Sequence, residues 1–394
     1  MTDGYAGRRL EILARDRARF GAGVIGELPA VMAGLGASAA FVVTDGGVVR
    51  SGVAGRVVDL LRAAGLAVEV FDEVEPNPGT ASIEQGSAAL RAVLSAGSSP
   101  IVVALGGGSA MDSAKVIALH APNHRDVMGL GYHDETVAAG IPVVAIPTTA
   151  GTGSETNTYG VITNEASGRK GYVGHESVLP RLAILDPELT LGLPPEPTAA
   201  TGVDALTHSL ESLLSANPNP FAEAIALGVV RTVGTWLSRA VDDGTDLEAR
   251  SRMLLAAHYA GVGQQSGTGV GAVHAIGHAI GTRGRLPHGT ALATVMPEVF
   301  ETYLGVRARE LALVAVALGV ADPRDSEADA ARAAIVAIES LLARVGQRRS
   351  LRAQGLGPET HDTIAQDAVD DAAINNSPRR PRKQEVLEIL ARVT

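Results

Sequence analysis

The sequence predicts two unlike halves: an α/β domain built on a parallel sheet, followed by an all-α domain. Three observations carry this. From about Ala39 to Thr163 short β-branched runs alternate with helical stretches, the signature of βαβ units. The segment DPELTLGLPPEP then breaks the pattern, because Pro187, Pro194, Pro195 and Pro197 continue neither a helix interior nor a central strand. Beyond Thr198 the β-branched runs largely vanish and Ala/Leu-rich helical periodicity dominates. The boundary therefore falls between Asp186 and Pro197, and the domains are read as residues 1–190 and 191–394.

In order, AAFVVTD, LAVEVFDEV, PIVVALGGG and IPVVAIPTTA read as strands, with GRVVDLLRAAG, IEQGSAALRAVLSAG and SAMDSAKVIALHA as helices among them. VVAL and VVAIP are nearly all apolar, as expected of strands covered on both faces. In the second half VDALTHSLESLL, PFAEAIALGVVRTVGTWLSRAV and ARELALVAVALGV read as helices. The basic cluster Arg379, Arg380, Arg382 and Lys383 reads as the solvated start of a short terminal helix. No repeat of fixed period and no heptad array interrupts this plan.

Composition narrows the function classes. At 394 residues, 46% hydrophobic and 19% charged, the chain has ample apolar surface to bury and is read as globular rather than disordered. Its 33 Lys and Arg against 43 Asp and Glu give a net charge of -10, a field that repels phosphate backbones and anionic membranes. Neither nucleic acid nor a membrane is an expected partner. With no Cys, a disulfide framework, a thiolate metal site and a Cys nucleophile are all excluded. The N-terminal stretch MTDGYAGRRLEILARDRARF is charged throughout and lacks the apolar core of a signal peptide, so a soluble cytoplasmic protein is expected.

Two loops in the first half carry ligand-binding character. In PIVVALGGGSAMDSAK a buried strand runs into Gly106, Gly107 and Gly108 and then a helix beginning near Ser109. Glycines at that turn allow close backbone approach, and the helix N-terminus offers free N–H groups to a pyrophosphate. No GK[ST] follows, which favours a dinucleotide over a nucleoside triphosphate. The next strand leads into Thr148, Thr149, Gly151, Thr152, Gly153 and Ser154, small hydroxyl donors at the carboxyl end of a strand. Asp45 follows AAFVVT, where its carboxylate would accept from a ribose 2′-OH and repel a 2′-phosphate, favouring NAD over NADP. The stretch GAGVIG from Gly21 formally matches a dinucleotide fingerprint. That fingerprint needs a buried strand before it, and ARDRARF is too charged to be one, so the stretch reads as the opening of a helix.

The second half carries metal-binding character. Asp204 and His208 are four apart in TGVDALTHSLES, and His274 and His278 are four apart in GVGAVHAIGHAIG, so each pair shares a helical face. His288 follows in LPHG. Five potential ligands in three short segments, imidazoles with one carboxylate, suit Fe²⁺ or Zn²⁺ better than Ca²⁺ or Mg²⁺. There is no HExxH and no G-x-S-x-G, so a metalloprotease and a serine hydrolase lack their signatures.

Taken together, GGGSAMDSAK, PTTAGTGSE, GVDALTHSLES, HAIGHAIG and LPHG resemble the iron-dependent, group III alcohol dehydrogenase family, and the resemblance covers essentially the whole chain. It implies a Rossmann-like parallel-sheet dinucleotide-binding domain followed by a helical metal-binding domain. It implies NAD as cofactor, with NADP the alternative, and Fe²⁺ as metal, with Zn²⁺ the alternative. By resemblance Asp204, His208, His274 and His288 are the metal ligands, and His278 takes the non-ligating histidine position beside the nicotinamide, where it would relay a proton. Gly106, Gly107, Gly108, Ser109 and Asp112 match the pyrophosphate loop. Thr148, Thr149, Thr152 and Ser154 match the second cofactor loop, Asp45 the adenosine-ribose position, and Lys170 a lysine near the cofactor. The implied reaction is hydride transfer between nicotinamide and a small alcohol or aldehyde, by a homodimer or larger homo-oligomer.

The chain departs from the family pattern at Gln264 and Gln265 before the third ligand and at Arg283 and Arg285 in GTRGRLPHG. These make a more polar, more basic pocket and point to an anionic substrate bearing a carboxylate, phosphate or phosphonate. The alternatives within the fold are a maleylacetate reductase-like enzyme, whose relatives generally lack the ligand set, and a dehydroquinate synthase-type lyase that uses NAD and metal.

Overall fold

A computed structural model describes residues 17–131, 134 and 136–394. The charged stretch over residues 1–16, read above as no signal peptide, lies outside the described residues. The described chain forms two compact units: residues to Thr201 together with Arg239–Gly261, and Gly202–Ser238 together with Val262–Thr394.

The first unit is a doubly wound α/β fold. Six strands, β1 (Ala18–Phe20), β2 (Ala39–Val43), β3 (Ala67–Phe71), β4 (Pro100–Gly106), β5 (Val143–Pro147) and β8 (Leu182–Leu185), form one sheet in the order β1-β8-β5-β4-β2-β3. Every neighbouring pair is parallel, with Val43 opposite both Phe71 and Ala104. Alternation along the strands builds two cores. Ala40, Val42, Ile101, Val103, Leu105, Val144 and Ile146 pack on one face with residues of α1 (Leu28–Gly34) and α3 (Val53–Ala63). Phe41, Val43, Val102, Ala104, Val143 and Ala145 pack on the other with α4 (Thr80–Ser95) and α5 (Gly108–Asn123). Between α1 and α3 lies the five-residue α2 (Gly46–Arg50).

Four strands of this unit go beyond the sequence reading. ARF is a strand after all: β1 pairs with β8 at the sheet edge, and all three of its residues are exposed. A charged edge strand needs no buried face, so the charge that argued against a strand argued only against a central one. The glycines after it do not form a fingerprint loop, since Asp186 accepts from the Gly23 and Ile25 N–H groups through its two oxygens at 3.1 and 3.0 Å. The chain also forms an antiparallel hairpin, β6 (Tyr159–Asn164) with β7 (Arg169–Gly174), and the four-residue β8, LAIL.

The remaining helices are α6 (Pro195–Leu214), α7 (Pro220–Asp242), α8 (Leu247–Gln264), α9 (Ala272–Gly284), α10 (His288–Glu301), α11 (Ala308–Ala317), α12 (Glu327–Arg344), α13 (His361–Asp370) and α14 (Lys383–Arg392). The division between units falls within α6, α7 and α8. The second unit has helices and no strand among its described residues, as the loss of β-branched runs predicts. No helix of the described residues is long and apolar enough to cross a membrane.

Candidate functional site

In the first unit the chain reverses its direction of travel across the sheet between β2 and β4, which places a crevice outside the carboxyl ends of these strands. Asp45 follows β2 and the triple glycine closes β4. Asp45 caps α2, its Oδ1 accepting from the Gly47 and Val48 N–H groups at 2.7 and 3.1 Å. Its Oδ2 sits over Gly106, where a Cβ would lie 3.3 Å away, and the Gly106 φ of +148° disfavours any side chain.

Gly107 and Gly108 are required by the second loop. A Cβ on Gly107 would meet Thr149 Cγ2 at 3.2 Å, and one on Gly108 would meet Thr152 Cγ2 at 2.6 Å. The Thr148 N–H also donates to the Gly106 carbonyl at 2.9 Å, so the two loops of the sequence motifs pack as one structure beside the α5 N-terminus, where Ser109 is half-buried. Thr149 Oγ1 is buried without a hydrogen-bond partner.

Beneath these loops lies a buried network that the sequence reading missed in part. Lys115, only 1% exposed, donates from Nζ to the Ser154 carbonyl at 2.8 Å, to Ser154 Oγ at 2.7 Å and to Asn157 Oδ1. Ser154 Oγ donates to Asp112 Oδ1 at 2.5 Å, and Asp112 Oδ2 accepts from the Val161 N–H at 3.0 Å. Burial lowers the Lys115 pKa, against the opposing charge of Asp112. Asp112 and Ser154 thus tie α5 to the second loop. Their partner Lys115 had a signal in the sequence, a lone lysine three residues after Asp112 in an apolar helix. Glu155 is likewise buried and accepts from His258 Nδ1 at 3.1 Å. Lys170, on β7, donates to Asn77 Oδ1 at 2.8 Å.

In the second unit α6, α9 and α10 bring four of the predicted residues together. Asp204 is 2% exposed, and its Oδ1 lies 3.7 Å from His208 Nδ1, 3.7 Å from His274 Nε2 and 3.5 Å from His288 Nε2. Asp204, His274 and His288 offer ligand atoms all within 4.8 Å of one another. The His208 ring stacks on His274 with centroids 4.8 Å apart. Asp204 Oδ1 and His274 Nε2 are both buried without a hydrogen-bond partner, a costly state for polar atoms that a shared cation would relieve. Ligands on one ion with bonds of about 2.1 Å stand roughly 3 to 3.5 Å apart, so the distances to Asp204 Oδ1 are close to those of a shared ion, and the imidazole nitrogens, within 4.8 Å, would draw together around it. The donor set of imidazoles and one carboxylate fits Fe²⁺ or Zn²⁺.

The electrostatics agree. Burial pushes the Asp204 carboxyl up, but the imidazoles of His208, His288 and His274 outweigh it and hold the group well below the usual carboxylate range. Burial opposes a charge on His274, yet Asp204 and Glu211 raise its pKa to about 9. Glu211 Oε2 accepts from His274 Nδ1 at 2.6 Å. Its signal was present: Glu211 follows Asp204 by seven and His208 by three, on the same helical face.

His278 sits beside the cluster, its ring centroid 5.7 Å from His274 and 5.3 Å from His288. Its Nδ1 donates to Asp371 Oδ2 at 2.8 Å, and Asp371 Oδ1 accepts from the Ala373 N–H at 2.8 Å. Burial pushes Asp371 up, but His278 and the Ala373 N–H bring it below the usual value. Nothing local in the sequence points to Asp371, which lies 93 residues from its partner. Arg283 donates from Nε and Nη2 to Asp367 Oδ2 at 2.9 and 2.6 Å. Arg285 is exposed, with a left-handed φ of +51°.

Residues 16–187 match the family model described as iron-containing alcohol dehydrogenase, and residues 198–394 match that of the Fe-containing alcohol dehydrogenase family, C-terminal. The chain is 34% identical to the NAD-dependent methanol dehydrogenase of Bacillus methanolicus over 94% of its own length and 96% of that protein. It is 32% identical to the lactaldehyde reductase of Escherichia coli over 96% and 98%. A crystal structure of 1,3-propanediol oxidoreductase superposes with a TM-score of 0.93 at 32% identity, covering 98% of this chain and 100% of that one. The chain belongs to the iron-containing alcohol dehydrogenase family.

Proposed function

We propose that this chain is a metal-dependent, NAD-linked alcohol dehydrogenase and aldehyde reductase for small substrates. The observation that carries the reading is the buried Asp204 oxygen ringed by three imidazole nitrogens at 3.5 to 3.7 Å. The names of the relatives, which refer to methanol, lactaldehyde and 1,3-propanediol, support small alcohols and aldehydes as the substrate class.

Asp204, His208, His274 and His288 hold the ion, Fe²⁺ in this reading and Zn²⁺ as the alternative. A bound divalent ion supplies a Lewis acid for the substrate oxygen, and bound NAD supplies or takes a hydride at its nicotinamide. His278 relays the proton. Asp371 fixes hydrogen on Nδ1, which leaves Nε2 as the nitrogen that exchanges a proton. Gly106, Gly107, Gly108 and Ser109 bind the pyrophosphate through backbone N–H groups, with Thr148, Thr149 and Thr152 beside them. Asp112 and Ser154 hold these loops in shape from below, and Lys170 is assigned to the cofactor on its family position alone. Asp45 accepts from the adenosine ribose and disfavours NADP, since a carboxylate repels a 2′-phosphate.

The charge of the substrate turns on Arg285. Arg283 and Arg285 are both exposed and Arg283 is paired with Asp367, so the anionic assignment rests on the sequence departure at Arg285 alone. The test is NADH consumption by iron-loaded, anaerobically purified protein with matched neutral and carboxylated or phosphonylated aldehydes, against chelated protein. Metal-dependent oxidation of NADH supports the reading, and absence of turnover across the panel overturns it. Equal kcat/KM for neutral and anionic aldehydes removes the anionic assignment.

A further inference from the structure

Glu211 is 4% exposed and has three hydrogen-bond donors around it. Its Oε2 accepts from the Gly271 N–H at 2.8 Å and from His274 Nδ1 at 2.6 Å, and its Oε1 accepts from the Val273 N–H at 2.7 Å. Gly271 is the N-cap of α9 and has no side chain with which to cap it. A carboxylate from α6 therefore takes the first N–H groups of α9 and sets a negative charge at the positive end of that helix. The same carboxylate holds hydrogen on His274 Nδ1, which leaves Nε2 as the nitrogen that would give up its proton to an ion. That Nε2 is the buried atom without a hydrogen-bond partner that faces Asp204 Oδ1 at 3.7 Å.

The loop that leads into α9 is clamped from the same side. Ser215 Oγ, just beyond the end of α6, donates to the Thr268 carbonyl at 2.7 Å, and Asn376 Nδ2 donates to the Val270 carbonyl at 3.1 Å. The position of His274 along its helix is thus set at the helix start, within one turn of the imidazole.

We infer that Glu211 is the positioning residue of the metal centre: it fixes the tautomer of His274 and the start of α9 together, and so sets metal affinity without touching the ion. This rests on the metal-site reading above and is independent of the substrate. Glu211→Gln tests it with little change of size. An amide has one accepting oxygen and one donating nitrogen, so it satisfies either His274 and Gly271 or Val273, but not all three. Facing its nitrogen to His274 would move hydrogen to Nε2 and remove the ligand.

The measurement is Zn²⁺ affinity of the full chain by chelator competition, wild type against Glu211→Gln, with the Co²⁺ absorption spectrum of each. The variant should bind Zn²⁺ about 10- to 100-fold more weakly and show a shifted Co²⁺ spectrum. Equal affinity overturns the inference even if the variant melts earlier, since a cap alone changes melting and not affinity. A wild-type protein that binds no Zn²⁺ overturns the metal site itself. Should Glu211→Gln fail to fold, ¹⁵N-histidine NMR of zinc-loaded wild type decides: His274 ligated through Nε2 with hydrogen on Nδ1 supports the inference, and ligation through Nδ1 overturns it.

Discussion

Lys115→Met removes a buried ammonium while keeping the length of the side chain. In the native protein Nζ serves the Ser154 carbonyl, Ser154 Oγ and Asn157 Oδ1, and lies 3.4 Å from Asp112 Oδ1. Stripping a buried ion pair of one partner costs about 3 to 5 kcal/mol. Two features reduce that figure here. Burial already works against the Lys115 charge, so its removal recovers part of a desolvation cost, and Asp112 keeps its bonds from Ser154 Oγ and the Val161 N–H. The net loss should be about 2 to 4 kcal/mol, since the Ser154 carbonyl is left as a buried acceptor without a donor and Asn157 Oδ1 keeps only the Tyr159 N–H at 3.2 Å. Urea unfolding followed by far-UV circular dichroism reads this directly. Fluorescence would not, because the single tryptophan, Trp236, belongs to the other unit. The KM for NAD should rise several-fold as the second loop loosens. A loss below about 1 kcal/mol would refute the reasoning, because the buried acceptors would then have found other partners.

Replacing His278 with Ala should lower turnover by about 100-fold or more while metal content stays near one per chain, and loss of metal would make His278 a ligand instead. Gly108→Ala places a Cβ 2.6 Å from Thr152 Cγ2 and should raise the KM for NAD with little effect on metal content, both read in the same preparation. Metal affinity should rise with pH. In the metal-free protein His274 titrates at about 9, so below that pH an incoming ion must displace its proton, and affinity should gain roughly tenfold per pH unit from this group until it flattens near 9. The sign for stability is opposite. A pKa raised on folding stabilises the metal-free protein fully below 6.5, and that stabilisation is lost as pH rises through about 9, which pH-dependent melting of chelated protein would show.

The parts of the fold that could be read in the sequence are those buried on two sides. β2, β4 and β5 are continuous apolar runs because helices cover both faces, and they appear as strands without further information. β1 escaped because an edge strand can carry Arg19 and leave every side chain in solvent. β8 is four residues long, and the β6 to β7 hairpin carries Gly160, Gly171 and Gly174, too short or too glycine-rich for a periodicity argument. The site divides in the same way. The metal residues announce themselves through helical spacing, and Glu211 could have been found by extending that spacing one turn. Asp371 and the partners of Lys115 could not, since tertiary packing alone brings them together. The triple glycine was legible as a turn, but the Cβ-filling threonines of the neighbouring loop explain Gly107 and Gly108 in a way that no linear pattern reveals.

The proposed chemistry requires above all that Asp204, His208, His274 and His288 share an ion. A crystal grown with Zn²⁺ and measured across the zinc absorption edge tests it directly. The expected result is one anomalous peak with bonds of about 2.0 to 2.2 Å to Asp204 Oδ1 and to a nitrogen of each of the three histidines. A peak elsewhere, or none at this cluster while Asp204 Oδ1 and His274 Nε2 take up hydrogen bonds of their own, would contradict the account.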